Sequence, residues 1–241
     1  GDRAGMLAMA RRFGAIADNI SVKLPATAAG LDVLEDCVAE GVTVTASVSF
    51  TVPQVLAIAE RHRRGAARAR EAGREPGRCF AVIMIGRLDD YLREAAADRG
   101  ADATISESDI RQAGLAVTKR AYSLLREKGY ETLLTVAALR GTHHMQELTG
   151  GELVMSIHPK YQAQLLAPGV SREAGRIDVP VAGEVVERLR ALPEFVRAYE
   201  PDGMAPEEFI AYGATQRTLS QFVAKGWSQV ESLALSTACV R

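Results

Sequence analysis

Up to about residue 160, apolar residues fall into short blocks separated by longer stretches in which they recur every three or four positions. The first block, residues 20–25 (Ile-Ser-Val-Lys-Leu-Pro), predicts a strand, and the run from a capping Thr27 to Glu40 has the spacing of a helix. The pair recurs: residues 42–50 predict a second strand, and a helix follows from Pro53, a residue suited to a first turn, through Gln54 to Glu60. A third strand is predicted at 79–85, almost wholly apolar as a parallel strand covered on both faces must be, ahead of an amphipathic stretch from Leu88 to Ala97. Two more strands are expected at 132–138 and 153–157, with a short helix at 142–148 between them. From Pro159 the strand signal fades; 168–184 reads as a loop and 206–235 as a long helix or a helical pair.

Strands alternating with helices imply parallel βαβ units with right-handed crossovers, which lead to a closed barrel or an open doubly wound sheet. The pattern does not separate the two, although no Gly-x-Gly-x-x-Gly or Walker sequence follows any strand, which weakens the nucleotide-binding version. A chain of 241 residues with 47% hydrophobic content can bury one sizeable core. Its 29 basic and 30 acidic side chains leave a formal charge of -1, so nothing draws it broadly to nucleic acid or an anionic membrane, and an anionic ligand must be held by a local pocket. No stretch has the roughly 18 uninterrupted apolar residues of a membrane span, and the opening Gly1-Asp2-Arg3 is no signal peptide. Cys37, Cys79 and Cys239 lack metal-ligand spacing and are expected to be reduced, buried thiols, which fits a soluble cytoplasmic protein.

Arginine dominates the basic residues; the lysines are Lys23, Lys119, Lys128, Lys160 and Lys225, so a lysine within a predicted strand stands out. Burial of Lys23 would favour its neutral, nucleophilic amine, as an imine-forming aldolase needs; the alternative is a strand-end lysine reaching solvent. Arg87 and Arg140 each follow a predicted strand directly, and two guanidinium forks at the carboxyl ends of strands could grip a phosphate; singly, each could be a solvated surface residue. Thr45, Ser47 and Ser49 alternate along one strand and would share a face, either holding a proton-shuttling water or forming a self-satisfied polar layer. His143 and His144 read as surface histidines, Asp89 and Asp90 as carboxylates complementing a helix dipole in preference to acid/base catalysts, and Phe209, Tyr212 and Trp227 as packing for the terminal helices, with a cap over the barrel mouth as the alternative.

The run Asn19-Ile-Ser-Val-Lys23-Leu-Pro-Ala-Thr27-Ala-Ala-Gly30 resembles the lysine-bearing strand of the transaldolase family, a strand ending Ile-Lys-(Ile/Val)-Pro-Ala-Thr. Gly41 to Thr51 is similar to the next family strand, with Ser47 where the family has the threonine that holds a catalytic water and Thr45 where it usually has asparagine. Met84-Ile-Gly-Arg87-Leu-Asp-Asp-Tyr91 resembles Phe-Val-Gly-Arg-(Ile/Leu)-x-Asp-(Trp/Tyr), whose arginine binds substrate phosphate. Met84 stands where fructose 6-phosphate aldolases carry a catalytic tyrosine, which disfavours that activity. Val136 to Arg140 is similar to Ala-Ser-(Phe/Leu)-Arg, with Arg140 as the second phosphate arginine and Ala138 in place of the serine.

The resemblance runs from about residue 5 to 240 and implies an α/β fold, a (β/α)8 TIM barrel of transaldolase type. Three family strands precede the lysine strand and carry the acidic residues of proton transfer. Only 22 residues precede Lys23 here, so the chain reads as a piece of that barrel lacking those three strands. On this reading residues 1–159 form a barrel portion with five strands, and 160–241 a helical segment packed on it. The implied activity is transfer of a dihydroxyacetone unit between sugar phosphates, with Lys23 as Schiff-base nucleophile, Ser47 on the proton-shuttling water, and Thr45, Arg87 and Arg140 on substrate. The imine serves as electron sink, so the resemblance implies no cofactor and no metal. Sugar phosphates are the implied partners; homo-oligomerisation is left open. The alternative is a catalytically weak or inactive sugar-phosphate binding protein of the same fold, suggested by Thr45, Met84 and Ala138.

Overall fold

The computed structural model describes residues 2–100, 105–170 and 173–238; Cys239 lies outside them. Helix α1 (Arg3–Gly14) starts at Asp2, whose carboxylate accepts the Gly5 N–H. Then come β1 (Val22–Pro25), α2 (Ala28–Ala39), β2 (Val44–Ser47), α3 (Val52–Glu71), β3 (Cys79–Met84), α4 (Ile85–Asp98), α5 (Glu107–Glu127), β4 (Leu133–Ala137), α6 (Thr142–Gln146) and β5 (Leu153–Met155). Thr27 caps α2, and Thr51 caps α3 with Pro53 in its first turn, as the sequence suggested.

The five strands are parallel and lie in the order β1-β2-β3-β4-β5. Sequential order with no reversal excludes the doubly wound alternative, in which the strand order must switch direction. One face of the sheet, carrying Val22, Leu24, Val44, Ala46, Ala81, Ile83, Leu134 and Val136, is buried in the main core. The opposite face is more open: Lys23 is exposed, Thr45, Phe80 and Leu133 are half-buried, and Val154 is 45% exposed. Among the described residues β1 and β5 pair on one side only.

The second strand is shorter than predicted. It ends at Ser47 because Val48 takes φ 58°, a left-handed backbone that a β-branched residue adopts only under constraint. The alternation that would put Ser49 beside Thr45 and Ser47 is broken there, and the buried Ser49 hydroxyl instead donates to the Val82 carbonyl. Gln54 holds this turn. Its Oε1 accepts from Phe50 N at 2.9 Å and from Thr51 Oγ1 at 3.0 Å, while Nε2 donates to the Val48 carbonyl at 3.3 Å.

The structure adds helix α5, of 21 residues, which the strand-and-helix alternation above does not include. Its signals are a capping box, in which Ser106 and Asp109 exchange side-chain to backbone hydrogen bonds, and a buried stripe through Ile110, Ala113, Val117, Ala121 and Leu125. It lies against α4 at Gly114, where a Cβ would come within 2.6 Å of Ile85 and 2.8 Å of Asp89.

Beyond β5 the chain forms α7 (Pro159–Leu166), α8 (Gly183–Leu189), α9 (Pro193–Tyr199), α10 (Gly213–Phe222), a π-helical turn at Val223–Trp227 and α11 (Ser228–Ala238). The stretch 168–184, expected as loop, contains a 3-10 turn at Arg176–Asp178 and the start of α8. Helices α8 and α9 pack on α5, and α9 also meets α3 and α4, so the later helices share the outer side of the sheet's helical layer. Phe209 and Tyr212 are buried as predicted, whereas Trp227 is 63% exposed and donates to Glu231 of the adjoining α11.

Replacing Gln54 with Leu keeps the volume but strands the Phe50 N–H and the Val48 carbonyl, each costing about 1–3 kcal/mol when buried unpaired. Chemical denaturation of Gln54→Leu should therefore show a loss of about 3 kcal/mol, and a variant as stable as the parent would show that the turn after β2 is held by other contacts.

Candidate active site

Parallel register puts the candidate residues on successive levels of the open face. Lys23 lies opposite Thr45, Thr45 opposite Phe80, and Phe80 opposite Leu133. Ser47 is two residues further along β2, one level nearer the carboxyl ends of the strands, a step of about 6.6 Å. Met84 pairs with Ala137 at the top of that face, and Arg87 and Arg140 follow just beyond. The five predicted site residues thus belong to four consecutive βα units and lie on one face or at one edge of one sheet.

Their environments differ. Of the two positions open to Lys23, the structure has the exposed one: its neighbours Val22 and Leu24 point into the core, and alternation turns Lys23 to the open face. Thr45 is half-buried, its hydroxyl 2.7 Å from that of Ser21. Ser47 is almost fully buried. Thr135, one level with Val82 on the same face, has a buried hydroxyl without a hydrogen-bond partner. A hydroxyl alternating with apolar residues was the available signal for it, but a lone threonine in a strand is commonplace.

The arginines stand close enough to repel. Burial pushes the Arg87 guanidinium down, Arg140 adds to that, and Asp90 opposes it. Arg87 sits in the first turn of α4, donates to Gln221 Oε1 at 2.7 Å on α10, and lies over the Phe222 ring at 5.3 Å. Arg140 follows β4, its fork closed on Asp90 with Nη2 2.6 Å from Oδ2, while Nη1 donates to the Ala138 carbonyl at 2.9 Å. Its chain crosses Gly86: a Cβ there would fall 2.4 Å from Arg140 Cγ and 2.4 Å from the Ala138 carbonyl oxygen. Two guanidinium groups that influence one another, one of them paired with Asp90, thus stand at the carboxyl-end edge of a chain without broad positive charge.

Asp89 and His144 depart from the sequence reading. Neither aspartate lies in the first turn of α4; Asp90 serves Arg140, and Asp89 is buried against His144. His144 is 0% exposed rather than a surface residue. His143 is half-buried, its ring 4.1 Å from that of His144, and a cleft of about 430 Å³ beside it is lined by Arg111 and Arg176. A second cleft of about 630 Å³ lies along Arg140, Ser156, His158 and Lys160. Cys37 and Cys79 are free and buried, and burial pushes the Cys37 thiol up to about 11. Among the described residues no cluster of His, Cys, Asp and Glu could hold a metal ion, and no helix is long and apolar enough to cross a membrane.

Burial first, then His144 and Arg111, hold His143 down to about 4. An unfolded histidine takes a proton near 6.5, so between those values the unfolded chain binds more protons and stability falls as pH is lowered from about 6.5 to about 4. With solvent screening the loss is on the order of 1–2 kcal/mol. Denaturation curves across that range should be flatter in His143→Gln; identical slopes would contradict the depressed value.

A family model described as transaldolase/fructose-6-phosphate aldolase matches residues 1–204. A transaldolase of Mycolicibacterium paratuberculosis is 29% identical over 131 residues, 53% of this chain and 35% of that protein. A probable transaldolase of Dehalococcoides mccartyi is 30% identical over 143 residues, 59% of this chain and 50% of that protein. One from Neisseria gonorrhoeae, a transaldolase, is 33% identical over 125 residues, 50% of this chain and 33% of that protein. The chain spans about a third to a half of the length of these relatives. With a match over residues 1–204 and the arrangement of Lys23, Arg87 and Arg140 on one parallel sheet, the chain belongs to the transaldolase/fructose-6-phosphate aldolase family.

Proposed function

We propose that this chain carries the imine-forming and phosphate-binding parts of a transaldolase-type class I aldolase, on five consecutive strands of a (β/α)8 barrel. The observation that carries the reading is the placement of Lys23 on the open face of β1 with Arg87 and Arg140 at the carboxyl ends of β3 and β4. In its neutral form the Lys23 amine would attack the carbonyl of a ketose phosphate, and loss of water would give the imine. The protonated imine would accept the electron pair released as the next carbon–carbon bond breaks, leaving a three-carbon unit on the lysine until an acceptor aldehyde takes it.

Ser47 would hold the water that moves protons at this centre, and Thr45 would meet substrate hydroxyls. Arg87 and Arg140 would grip the phosphate, which must compete with Gln221 for one guanidinium and with Asp90 for the other. Thr45, Met84 and Ala138, which depart from the family pattern, favour a second reading, in which the site binds a sugar phosphate without turnover.

Lys23→Ala should lower dihydroxyacetone transfer by more than about a thousandfold while sugar-phosphate binding persists. Arg87→Ala and Arg140→Ala should each raise KM for phosphorylated donors about tenfold or more. Turnover that survives loss of Lys23 would refute its role as the imine-forming nucleophile, and binding without any turnover in the parent would establish the second reading.

A further inference from the structure

Asp89 and His144 belong to none of the roles assigned above, yet both are removed from solvent, at 2% and 0% exposure. Asp89 Oδ1 accepts the Gly114 N–H of α5 at 2.8 Å, and its other oxygen lies 3.1 Å from His144 Nε2, within ion-pair distance but outside hydrogen-bond geometry. On the far side of the ring, Nδ1 accepts the backbone N–H of Arg140 at 3.3 Å. A backbone amide can only donate, so Nδ1 must offer its lone pair and the ring proton must sit on Nε2, facing Asp89. Burial raises the Asp89 carboxyl above its ordinary value while His144 and the Gly114 N–H oppose that rise; in its ionised form Asp89 can only accept, and so selects that tautomer.

We propose that Asp89 and His144 are positioning residues for Arg140, with Asp89 fixing the His144 tautomer whose free Nδ1 anchors the Arg140 backbone. The inference rests on the reading of Arg140 as a phosphate ligand. The surrounding geometry makes this amide a sensitive point. Ala138, two residues earlier, is left-handed at φ 58°, the Arg140 side chain returns to the Ala138 carbonyl, and its stem crosses Gly86. Residues 138–140 therefore form a tight turn, and rotating the Arg140 peptide would swing the guanidinium across the strand ends. An apolar pair could fill the space of Asp89 and His144 without a buried charge; only an acceptor at Nδ1 fixes the amide.

The test compares fructose 6-phosphate and fructose as equilibrium ligands of the protein and reads the His144 ring nitrogens by long-range proton–nitrogen correlation. The parent spectrum should show the proton on Nε2. Asp89→Asn, which can donate to Nε2 and so favour the other tautomer, and His144→Leu, which removes the acceptor, should weaken fructose 6-phosphate binding about tenfold or more, the scale of a misplaced binding group. Neither should change fructose binding. His144→Asn, whose amide oxygen can stand in for Nδ1, should keep the phosphate-dependent affinity even where its melting temperature falls with that of His144→Leu.

A proton on Nδ1 in the parent would overturn the proposal. So would unchanged fructose 6-phosphate affinity in Asp89→Asn and His144→Leu while Arg140→Ala loses it, or losses in both His144 variants that simply follow their melting temperatures. If Arg140→Ala itself leaves the affinity intact, the phosphate reading of Arg140 falls and the positioning role falls with it, an outcome distinct from failure of the Asp89–His144 link alone.

Discussion

Parallel pairing in sequential order obliges every strand to finish on the same edge of the sheet, and that constraint organises everything the chain can do. With one face buried under helices, alternation along each strand sorts residues between core and open face with no further choice. Lys23 cannot join Val22 and Leu24 in the core without a register slip that would expose both. The same constraint delivers Arg87 and Arg140 to one edge, since each lies a few residues beyond a strand that pairs directly with the other's.

Gathering two arginines at that edge creates a repulsion that the fold manages with neighbours rather than by separation. Asp90 takes the Arg140 fork, and α10 brings Gln221 and the Phe222 ring to Arg87. Each guanidinium is thus oriented in the free protein by a group that a phosphate could replace. Gly86 lets the two chains cross, because any side chain at that position would occupy the space of the Arg140 stem and the Ala138 carbonyl. Close approach at Gly114 does the same one layer out, bringing α5 near enough for its backbone to reach Asp89.

Much of this was legible because it is periodic or local. Short apolar blocks marked all five strands, Thr27 and Thr51 marked helix starts, and the position of Arg87 and Arg140 after their strands placed them at one edge before any pairing was known. What was missed depends on tertiary partners. His144 reads as polar until Asp89, far away in sequence, is set beside it; the exposure of Lys23 depends on what covers the second face of the sheet; and Trp227 looks like core until its helix is placed. The end of β2 at Val48 reflects a strained turn held by Gln54, which no apolar pattern encodes. Helix α5 is different: its capping box at Ser106 and Asp109 and its apolar stripe are both present in the sequence.

If Lys23 is the proposed nucleophile, borohydride should trap its imine with a sugar phosphate as a stable secondary amine. The protein would be incubated with fructose 6-phosphate, reduced, weighed intact and mapped by peptide. The expected product is a reduced sugar-derived adduct confined to the peptide that contains Lys23. An unmodified mass under conditions where fructose 6-phosphate is shown to bind, or an adduct on another lysine, would contradict it.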